Sequence, residues 1–289
     1  MRVATKWTDY AVLSTGDGEK IERWKDIILI RPDPQIIWPK YNPDIWKNAH
    51  GRYNRSSSGG GSWTFFKTIP DKWKISYGEL SFWVEPMNFK HTGLFPEQGV
   101  NWDYMKEKIE KAEKPVQILN LFAYTGGATA ACAAAGAYVC HVDAAKGMVE
   151  KAKSNLALSG LAEKPVRYIV DDVVKFVQRE IRRGRFYDGI IMDPPSYGRG
   201  PKGEMWKLEE NIYDLTELCS KVLSKKPLFF LLISYTTGLS GSVMKNIMDL
   251  VLTKRFGGVT KAYETGLPVQ DSGIILPCGN TACWGQNDE

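Results

Sequence analysis

Four short stretches of this chain bring glycine, acid and proline to places where an apolar run gives way to a turn. The first is Val116-Gln-Ile-Leu-Asn-Leu-Phe-Ala-Tyr-Thr-Gly-Gly-Ala-Thr129, an apolar strand, a small-residue turn at Thr125, Gly126 and Gly127, and an alanine-rich helix. Glycine there lets backbone approach a ligand that a Cβ would block, and the helix N-terminus presents N–H groups beside it. The other three carry acids. Asp143 closes Tyr138-Val-Cys-His-Val, Asp171 and Asp172 follow the strand at 166–170, and Asp193-Pro194-Pro195 follows Gly189-Ile-Ile-Met192. Acids and glycines at successive strand ends make a ligand crevice along one edge of a parallel sheet.

The residue types narrow the ligand. Asp143 stands where a carboxylate accepts the two ribose hydroxyls of an adenosine, and equally where an acid caps the next helix. Asp172 has the same two readings: acceptor of an adenine amino group with Val173 packed on the ring, or helix cap. Taken together, in order and at strand ends, the acids are hard to explain as caps alone. The turn Ala123-Tyr-Thr-Gly-Gly-Ala128 lacks the G-x-G-x-x-G spacing and no Walker lysine follows, so it is not built for a pyrophosphate. In Asp193-Pro-Pro-Ser-Tyr197 two prolines fix φ and remove two N–H groups, leaving rigid carbonyls free to accept. Such a turn can hold a planar, amino-bearing substrate edge, with Tyr197 placed to stack on it.

The elements that must position these groups follow a strand–helix rhythm from Pro115 onward. It predicts strands at 116–121, 138–143, 166–170, 187–192 and 228–233, with helices at 127–136, 145–159, 173–183 and about 207–225. A further helix near 242–255 and two closing strands at 259–263 and 273–276 complete the pattern. Alternating strands and helices mean a parallel sheet covered on both faces, and the short last connection requires an antiparallel strand. The first part of the chain reads differently. Eight of the ten tryptophans lie before residue 103. Tyr10-Ala-Val-Leu-Ser, Gly16-Asp-Gly18, Lys20–Trp24 and Asp26–Arg31 predict strands with a tight turn, as do the runs from Trp63, Trp73 and Leu80. Arg52 to Ser62 predicts a flexible loop. The aromatic residues are expected to pack a small curved sheet, with a base-stacking platform as the alternative. The domain expectation is a β-rich unit over 1–100, possible in substrate recognition, and a catalytic unit over 101–289.

Composition bounds the partners. The net charge of +5 permits a polyanion without demanding one. Five scattered cysteines, none in zinc or redox spacing, suit reduced thiols in a cytosolic protein. No apolar run is long enough to span a membrane, and His50, His91 and His141 sit in no metal-like or triad-like setting. Arg179, Arg182, Arg183 and Arg185 cluster at a helix end, as dipole-compensating cations or as phosphate contacts. Gly198-Arg-Gly-Pro-Lys-Gly-Glu204, a basic glycine-rich loop after the proline turn, reads as a lid, an RNA-binding loop or plain disorder.

Residues 116–234 resemble the class I S-adenosylmethionine-dependent methyltransferases. Asn120-Leu-Phe-Ala-Tyr-Thr-Gly-Gly127, Asp171-Asp-Val173 and Asp193-Pro-Pro-Ser-Tyr197 are similar to the branch of bacterial 23S ribosomal RNA base methyltransferases that makes 5-methylcytosine or 7-methylguanosine. Thr92-Gly-Leu-Phe-Pro-Glu-Gln98 resembles the segment leading into that catalytic domain. The resemblance implies a doubly wound, mostly parallel seven-stranded sheet, a Rossmann-like α/β fold. It implies S-adenosyl-L-methionine as cofactor, with Phe122, Tyr124, Thr125, Gly126 and Gly127 around its methionine and ribose portions. Asp143 would take the ribose, and Asp172 with Val173 the adenine. Asp193, Pro194 and Pro195 would lie beside the methyl group, Tyr197 near the acceptor base, and Phe95 and Gln98 over the cofactor. Gly99 stands where members often carry arginine. The cytosine-5 members need a cysteine after strand five to add to the base, whereas this chain has Ile233-Ser234-Tyr235-Thr236. The expected acceptor is therefore a ring or exocyclic nitrogen of RNA, with small-molecule or protein methylation, or cofactor binding without turnover, as the other readings.

Overall fold

The computed structural model describes residues 1–56, 60–87, 89–199, 205–235 and 238–286. The chain divides into two compact units, one of Val3–Val100 with Gly266–Pro277, the other of Met1–Arg2, Asn101–Thr265 and Cys278–Glu289. The segment Gly266–Pro277 belongs with the first unit for a local reason. Val269 pairs in parallel with Val12, and the N–H groups of Gln270 and Asp271 donate to the carbonyls of Val12 and Leu13.

The chain opens on β1 (Arg2–Val3). The first unit then builds a five-stranded sheet in the order β2 (Tyr10–Gly16), β3 (Glu19–Trp24), β4 (Ile27–Pro32), β5 (Gly51–Arg55), β6 (Gly61–Phe65), with a separate hairpin of β7 (Trp73–Tyr77) and β8 (Leu80–Val84). The β2–β3 connection is the two residues Asp17 and Gly18, both at positive φ, the backbone that matches strand twist in a tight hairpin. The flexible loop expected over 52–62 is instead mostly a hairpin, with residues 57–59 outside the described residues. Tyr53 sits opposite Trp63, ring centroids 5.5 Å apart and edge-on, a cross-strand pair that holds strands whose serine and glycine content argues for coil. Trp24, Trp46 and Trp73 are buried, as the packing reading expects, while Phe65 and Phe66 are exposed.

One charged group lies at the centre of this unit. Glu22 is fully buried on β3; Tyr10 Oη donates to it at 2.5 Å, and Arg31 donates through Nε at 2.6 Å and Nη2 at 2.8 Å. Burial alone raises the Glu22 pKa. The charges of Arg31 and Lys20 and the hydrogen bonds from Arg31 and Tyr10 outweigh it and hold the carboxyl down at about 2.

The second unit carries the large sheet. Its elements are α1 (Gly99–Glu110), β9 (Gln117–Leu121), α2 (Gly127–Ala134), β10 (Tyr138–Asp143), α3 (Lys146–Leu158), β11 (Val166–Val170), α4 (Val173–Arg182) and β12 (Gly189–Met192). They continue with β13 (Tyr197–Arg199), β14 (Met205–Lys207), α5 (Leu208–Ser220), β15 (Phe229–Ser234), α6 (Gly241–Met248), α7 (Lys254–Phe256), β16 (Val259–Pro268) and β17 (Ile275–Gly285). The strand order is β1-β16-β17-β15-β12-β9-β10-β11. β9 to β12, β15, β10 and β11 pair in parallel, and β17 runs antiparallel to β15 as the short last connection requires. The sheet has eight strands rather than the expected seven because the short β1 adds to its edge. The helix expected over 242–255 is interrupted by a π-helical turn at Asp249–Thr253.

β12 and β15 are buried along their whole length, which explains their unbroken apolar sequences. α4, α5 and α6 cover one face through Phe176, Ile212, Leu215 and Met244 on Leu121, Ile190, Met192, Phe230 and Leu232. The order reverses around β9, whose neighbours are β10 on one side and β12 on the other. That is the topological switch point, and the crevice beyond its C-terminal end is where this architecture binds ligands. Among the described residues no helix is long and apolar enough to cross a membrane.

The Glu22 arrangement yields a pH-dependent stability. With a folded value of about 2 against an ordinary 4.5, its contribution is complete above pH 4.5 and is lost as pH falls toward 2. Glu22→Gln, which leaves the Arg31 guanidinium buried without its counter-charge, is expected to cost about 3–5 kcal/mol at pH 7. Urea unfolding should show that gap narrowing at pH 3; a gap equal at both pH values would contradict the assignment.

Candidate active site

The chain turns sharply where β9 ends. Phe122 and Tyr124 sit at φ of +55° and +50°. Neither is glycine, and non-glycine residues held in the left-handed region are strained. The Asp143 carboxylate at the end of β10 holds the turn in place: Oδ2 accepts the Tyr124 N–H at 2.8 Å and Oδ1 accepts the Ala145 N–H at 2.9 Å. A second clamp lies beneath. Asn120 Nδ2 donates to Thr129 Oγ1 at 2.9 Å, Thr129 Oγ1 meets His141 Nδ1 at 2.9 Å, and Asn155 Nδ2 donates to the Thr125 carbonyl at 2.9 Å. All four side chains are buried, and burial pushes the His141 pKa down to about 4, so the imidazole is neutral at physiological pH. Sequence reading missed this clamp because its members are spread over β9, α2, β10 and α3.

The two glycines serve packing. A Cβ on Gly126, at φ +84°, would come within 2.9 Å of Ala152 Cβ on α3, and one on Gly127 within 2.6 Å of the Trp102 ring. The nearest atoms a side chain would strike belong to the protein itself. The turn still leaves α2 with no side-chain cap, since Gly126 stands at the capping position. N–H groups at an uncapped helix start attract a carboxylate.

Asp172 is the cap of α4, its Oδ1 accepting the Lys175 N–H at 2.9 Å. Asp171 accepts the Asp172 N–H at 2.8 Å and forms an ion pair with Arg179, which accounts for one arginine of the basic cluster. Arg183 pairs with the buried Glu180 at 3.1 Å. Val173 is buried in the core under α4, beside the exposed Asp172.

At the end of β12, Asp193 is half-buried, Pro194 buried and Pro195 exposed. The Pro195 carbonyl, expected to be free, accepts the Trp206 indole N–H at 2.6 Å. Trp206 lies on β14, which pairs antiparallel with β13, so the proline turn leads into a hairpin rather than directly into a loop and helix. The Trp206 ring packs at a 40° tilt against Phe122, centroids 6.3 Å apart. One tryptophan thus ties the proline turn to the strained β9 turn. Nothing in its local sequence marks it, because both of its partners are distant in the chain. Tyr197, the first residue of β13, is 51% exposed and its hydroxyl reaches Met205 Sδ at 3.5 Å. Of the loop 198–204, residues 200–204 lie outside the described residues.

The structure therefore gathers Phe122, Tyr124, Thr125, Gly126, Gly127 and Asp143 into one turn-and-acid assembly, with the Asp193 turn joined to it through Trp206. Phe95 and Gln98 belong to the other unit. Phe95 precedes a short 3-10 turn at Pro96–Gln98 and packs edge-on against His91, centroids 5.4 Å apart; Gln98 is buried. All five cysteines are buried and none is in a disulfide, and burial pushes the Cys140 thiol up to about 11 and raises those of Cys132 and Cys219 further. Among the described residues no three His, Cys, Asp or Glu side chains are grouped to hold a metal.

Comparison with known proteins gives the family. A model of the S-adenosylmethionine-dependent methyltransferases matches residues 49–218, more than half of the chain. The crystal structure of a SAM-dependent methyltransferase from Agrobacterium tumefaciens superposes with a TM-score of 0.93 at 34% identity, covering 99% of this chain and 93% of that one. A methyltransferase crystallised with S-adenosylhomocysteine shares the fold, with a TM-score of 0.71 and 21% identity over 97% of this chain and 76% of that one. Among curated relatives, ribosomal RNA large subunit methyltransferase K of Neisseria meningitidis is 31% identical over 133 residues, 46% of this chain and 36% of the relative. The chain thus spans about a third of that relative's length.

Two substitutions test the geometry. Asp143→Ala strands the N–H groups of Tyr124 and Ala145 and releases the left-handed turn; calorimetry should find S-adenosylmethionine bound at least about tenfold more weakly, and unchanged affinity would remove Asp143 from the site. Trp206→Phe keeps a ring against Phe122 but deletes the N–H to Pro195. It is expected to lower kcat while leaving cofactor affinity near that of the parent; a parental kcat would deny Trp206 its positioning role.

Proposed function

The chain belongs to the S-adenosylmethionine-dependent methyltransferases, and we propose that it methylates a base of RNA, ribosomal RNA foremost, at a ring or exocyclic nitrogen. The observation that carries the site assignment is the Asp143 carboxylate bound to Tyr124 and Ala145 at the switch point of the sheet. It holds a strained turn at the place where this architecture receives an adenosine.

The residues fit the cofactor. The uncapped start of α2 suits the carboxylate of its methionine portion. Asp143 keeps lone pairs on both oxygens beyond the two backbone bonds it accepts, enough for a ribose diol. Asp172 spends one oxygen on its helix cap and retains the other for an adenine amino group. Bound there, S-adenosylmethionine supplies a methyl group on an electron-poor sulfonium.

The chain's own part is then positioning. A ring nitrogen already has a lone pair, so alignment can supply most of the rate. For an exocyclic amine, the Asp193 carboxylate and the Pro194 carbonyl accept the amino hydrogens, hold the group in register and draw density toward nitrogen. Phe122, Trp206 and the exposed Tyr197 offer ring faces to a base taken out of its stack. Cytosine-5 chemistry requires a thiolate, and burial keeps Cys132, Cys140 and Cys219 protonated. The RNA assignment is supported by the curated relative named for ribosomal RNA and by a net charge of +5. A ribosomal RNA substrate would be met in the cytoplasm, the location proposed here for the protein.

The test is transfer of labelled methyl from S-adenosylmethionine to ribosomal RNA prepared from cells lacking this protein, followed by mass mapping of the modified nucleotide. Label should enter one nucleotide as a nitrogen-linked methyl. Asp193→Ala should slow transfer about a hundredfold or more with cofactor affinity retained. Label entering protein or small molecules but no RNA would overturn the substrate assignment.

A further inference from the structure

The large sheet has a second concavity at its opposite edge. A cavity of about 410 Å³ is lined by residues at the starting ends of the strands, among them Gln117 of β9, Tyr138 of β10, Pro165 and Arg167 beside and on β11, and Arg185 and Phe186 ahead of β12. It lies within the size range of small-molecule pockets, about 300–1,000 Å³. The strands of β9 length separate it from the active-site edge by roughly 17 Å at about 3.3 Å per residue, so no part of the cofactor crevice is shared.

Its lining is unusual for a protein surface. Tyr138 is 48% exposed and Phe186 is 56% exposed. Among the described residues neither ring packs on another, the Tyr138 hydroxyl makes no hydrogen bond, and the Arg185 guanidinium makes no hydrogen bond or close ion pair, its charge acting on Glu180 from longer range. Arg167 is partly engaged, at 3.4 Å from Glu180, and Glu180 is shared with Arg183 and with the Tyr187 hydroxyl at 2.7 Å. Beside the cavity the buried Asp188 is neutralised by Lys114 at 2.6 Å. Three arginines and a lysine therefore face two acids, both buried and both already paired, and the local charge is positive. Arg179 and Arg183 form close ion pairs; Arg185 meets Glu180 only at longer range and lines this cavity.

We propose that this cavity is a nucleotide-binding pocket, the base stacking on the ring of Tyr138 or Phe186 and the phosphate held by Arg185 with Arg167. Ring faces recognise any base, and a guanidinium matches a phosphate in two-point fashion. An apolar ligand would bury the Arg185 guanidinium without a close counter-charge, and a simple anion would make no use of the two rings. The nucleotide can be free or a residue of an RNA chain whose target base lies at the other edge. The pocket itself does not depend on the RNA assignment above.

The experiment uses the full chain with its cofactor site saturated by S-adenosylhomocysteine. Guanosine 5′-monophosphate is titrated calorimetrically, inorganic phosphate serves as reference, and a labelled single-stranded oligoribonucleotide is followed by anisotropy. Tyr138→Ala, Phe186→Ala and Arg185→Ala are compared, with unchanged thermal unfolding verifying that these exposed positions leave the fold intact. At least one ring substitution and Arg185→Ala should each weaken binding about tenfold or more. Loss with both nucleotide probes identifies a pocket for free nucleotides, and loss with the oligoribonucleotide alone identifies a residue within a strand. Absence of binding by the intact protein to both nucleotide probes, or binding that all three substitutions leave unchanged, would overturn the pocket, as would inorganic phosphate binding as tightly as the nucleotide. Methyl transfer to RNA is measured in parallel on the same protein variants, with S-adenosylmethionine in place of S-adenosylhomocysteine. Transfer without a pocket effect refutes only the pocket; a pocket effect without transfer refutes only the RNA substrate.

Discussion

The hydrogen bond from the Tyr124 N–H to the Asp143 carboxylate is the constraint on which the turn at the switch point of the sheet depends. After β9 the chain has five residues in which to leave the sheet and start α2. It does so through two non-glycine residues in the left-handed region, each costing about 1–3 kcal/mol unless its surroundings hold it. Asp143 offsets that strain from above. The Asn120–Thr129–His141 contacts and the Asn155 bond to Thr125 offset it from below. A neutral His141 suits this position, because a charged imidazole would be buried with no counter-ion among the groups it touches.

The α/β half of the fold is legible because its signals are local and agree with one another. Gly189–Met192 and Phe229–Ser234 are apolar at every position a doubly covered strand requires, and each parallel strand ends in a turn residue or an acid. What was not legible depends on contacts between distant residues. The β5–β6 hairpin looks like coil until Tyr53 is set against Trp63. The packing constraint on Gly126 and Gly127 was not legible either, since only the positions of Ala152 and Trp102 reveal which protein atoms a Cβ would meet. Trp206 carries no motif, yet its indole reaches across eleven residues to the Pro195 carbonyl and its ring reaches back to Phe122.

The acids were read from sequence as either helix caps or ligand acceptors, and the geometry removes the opposition. A carboxylate has two oxygens and about four acceptor directions. Asp172 caps α4 with one oxygen, and Asp143 engages one backbone N–H with each. Such bonds fix the rotamer and leave acceptor capacity directed outward, which is the preorganisation a binding site needs. Capping is therefore the means by which these carboxylates would be held ready for hydroxyl or amino hydrogens.

Two acids at the opposite ends of a single strand stand in different settings. Asp188 precedes β12 at its starting end, where it accepts from Lys114 at 2.6 Å and Ser224 Oγ at 2.8 Å through one oxygen and from the Gln117 N–H at 3.0 Å through the other. It is 6% exposed, and its acceptor capacity is directed to neighbouring strands and loops. Asp193, at the finishing end of β12, is half-buried beside a turn held rigid by two prolines and by Trp206. Residue type is identical, and distance along the strand is only five residues. What distinguishes the two is the edge of the sheet: at the starting edge the acid joins β9 to β12, and at the finishing edge the reversal of strand order opens the space a substrate needs.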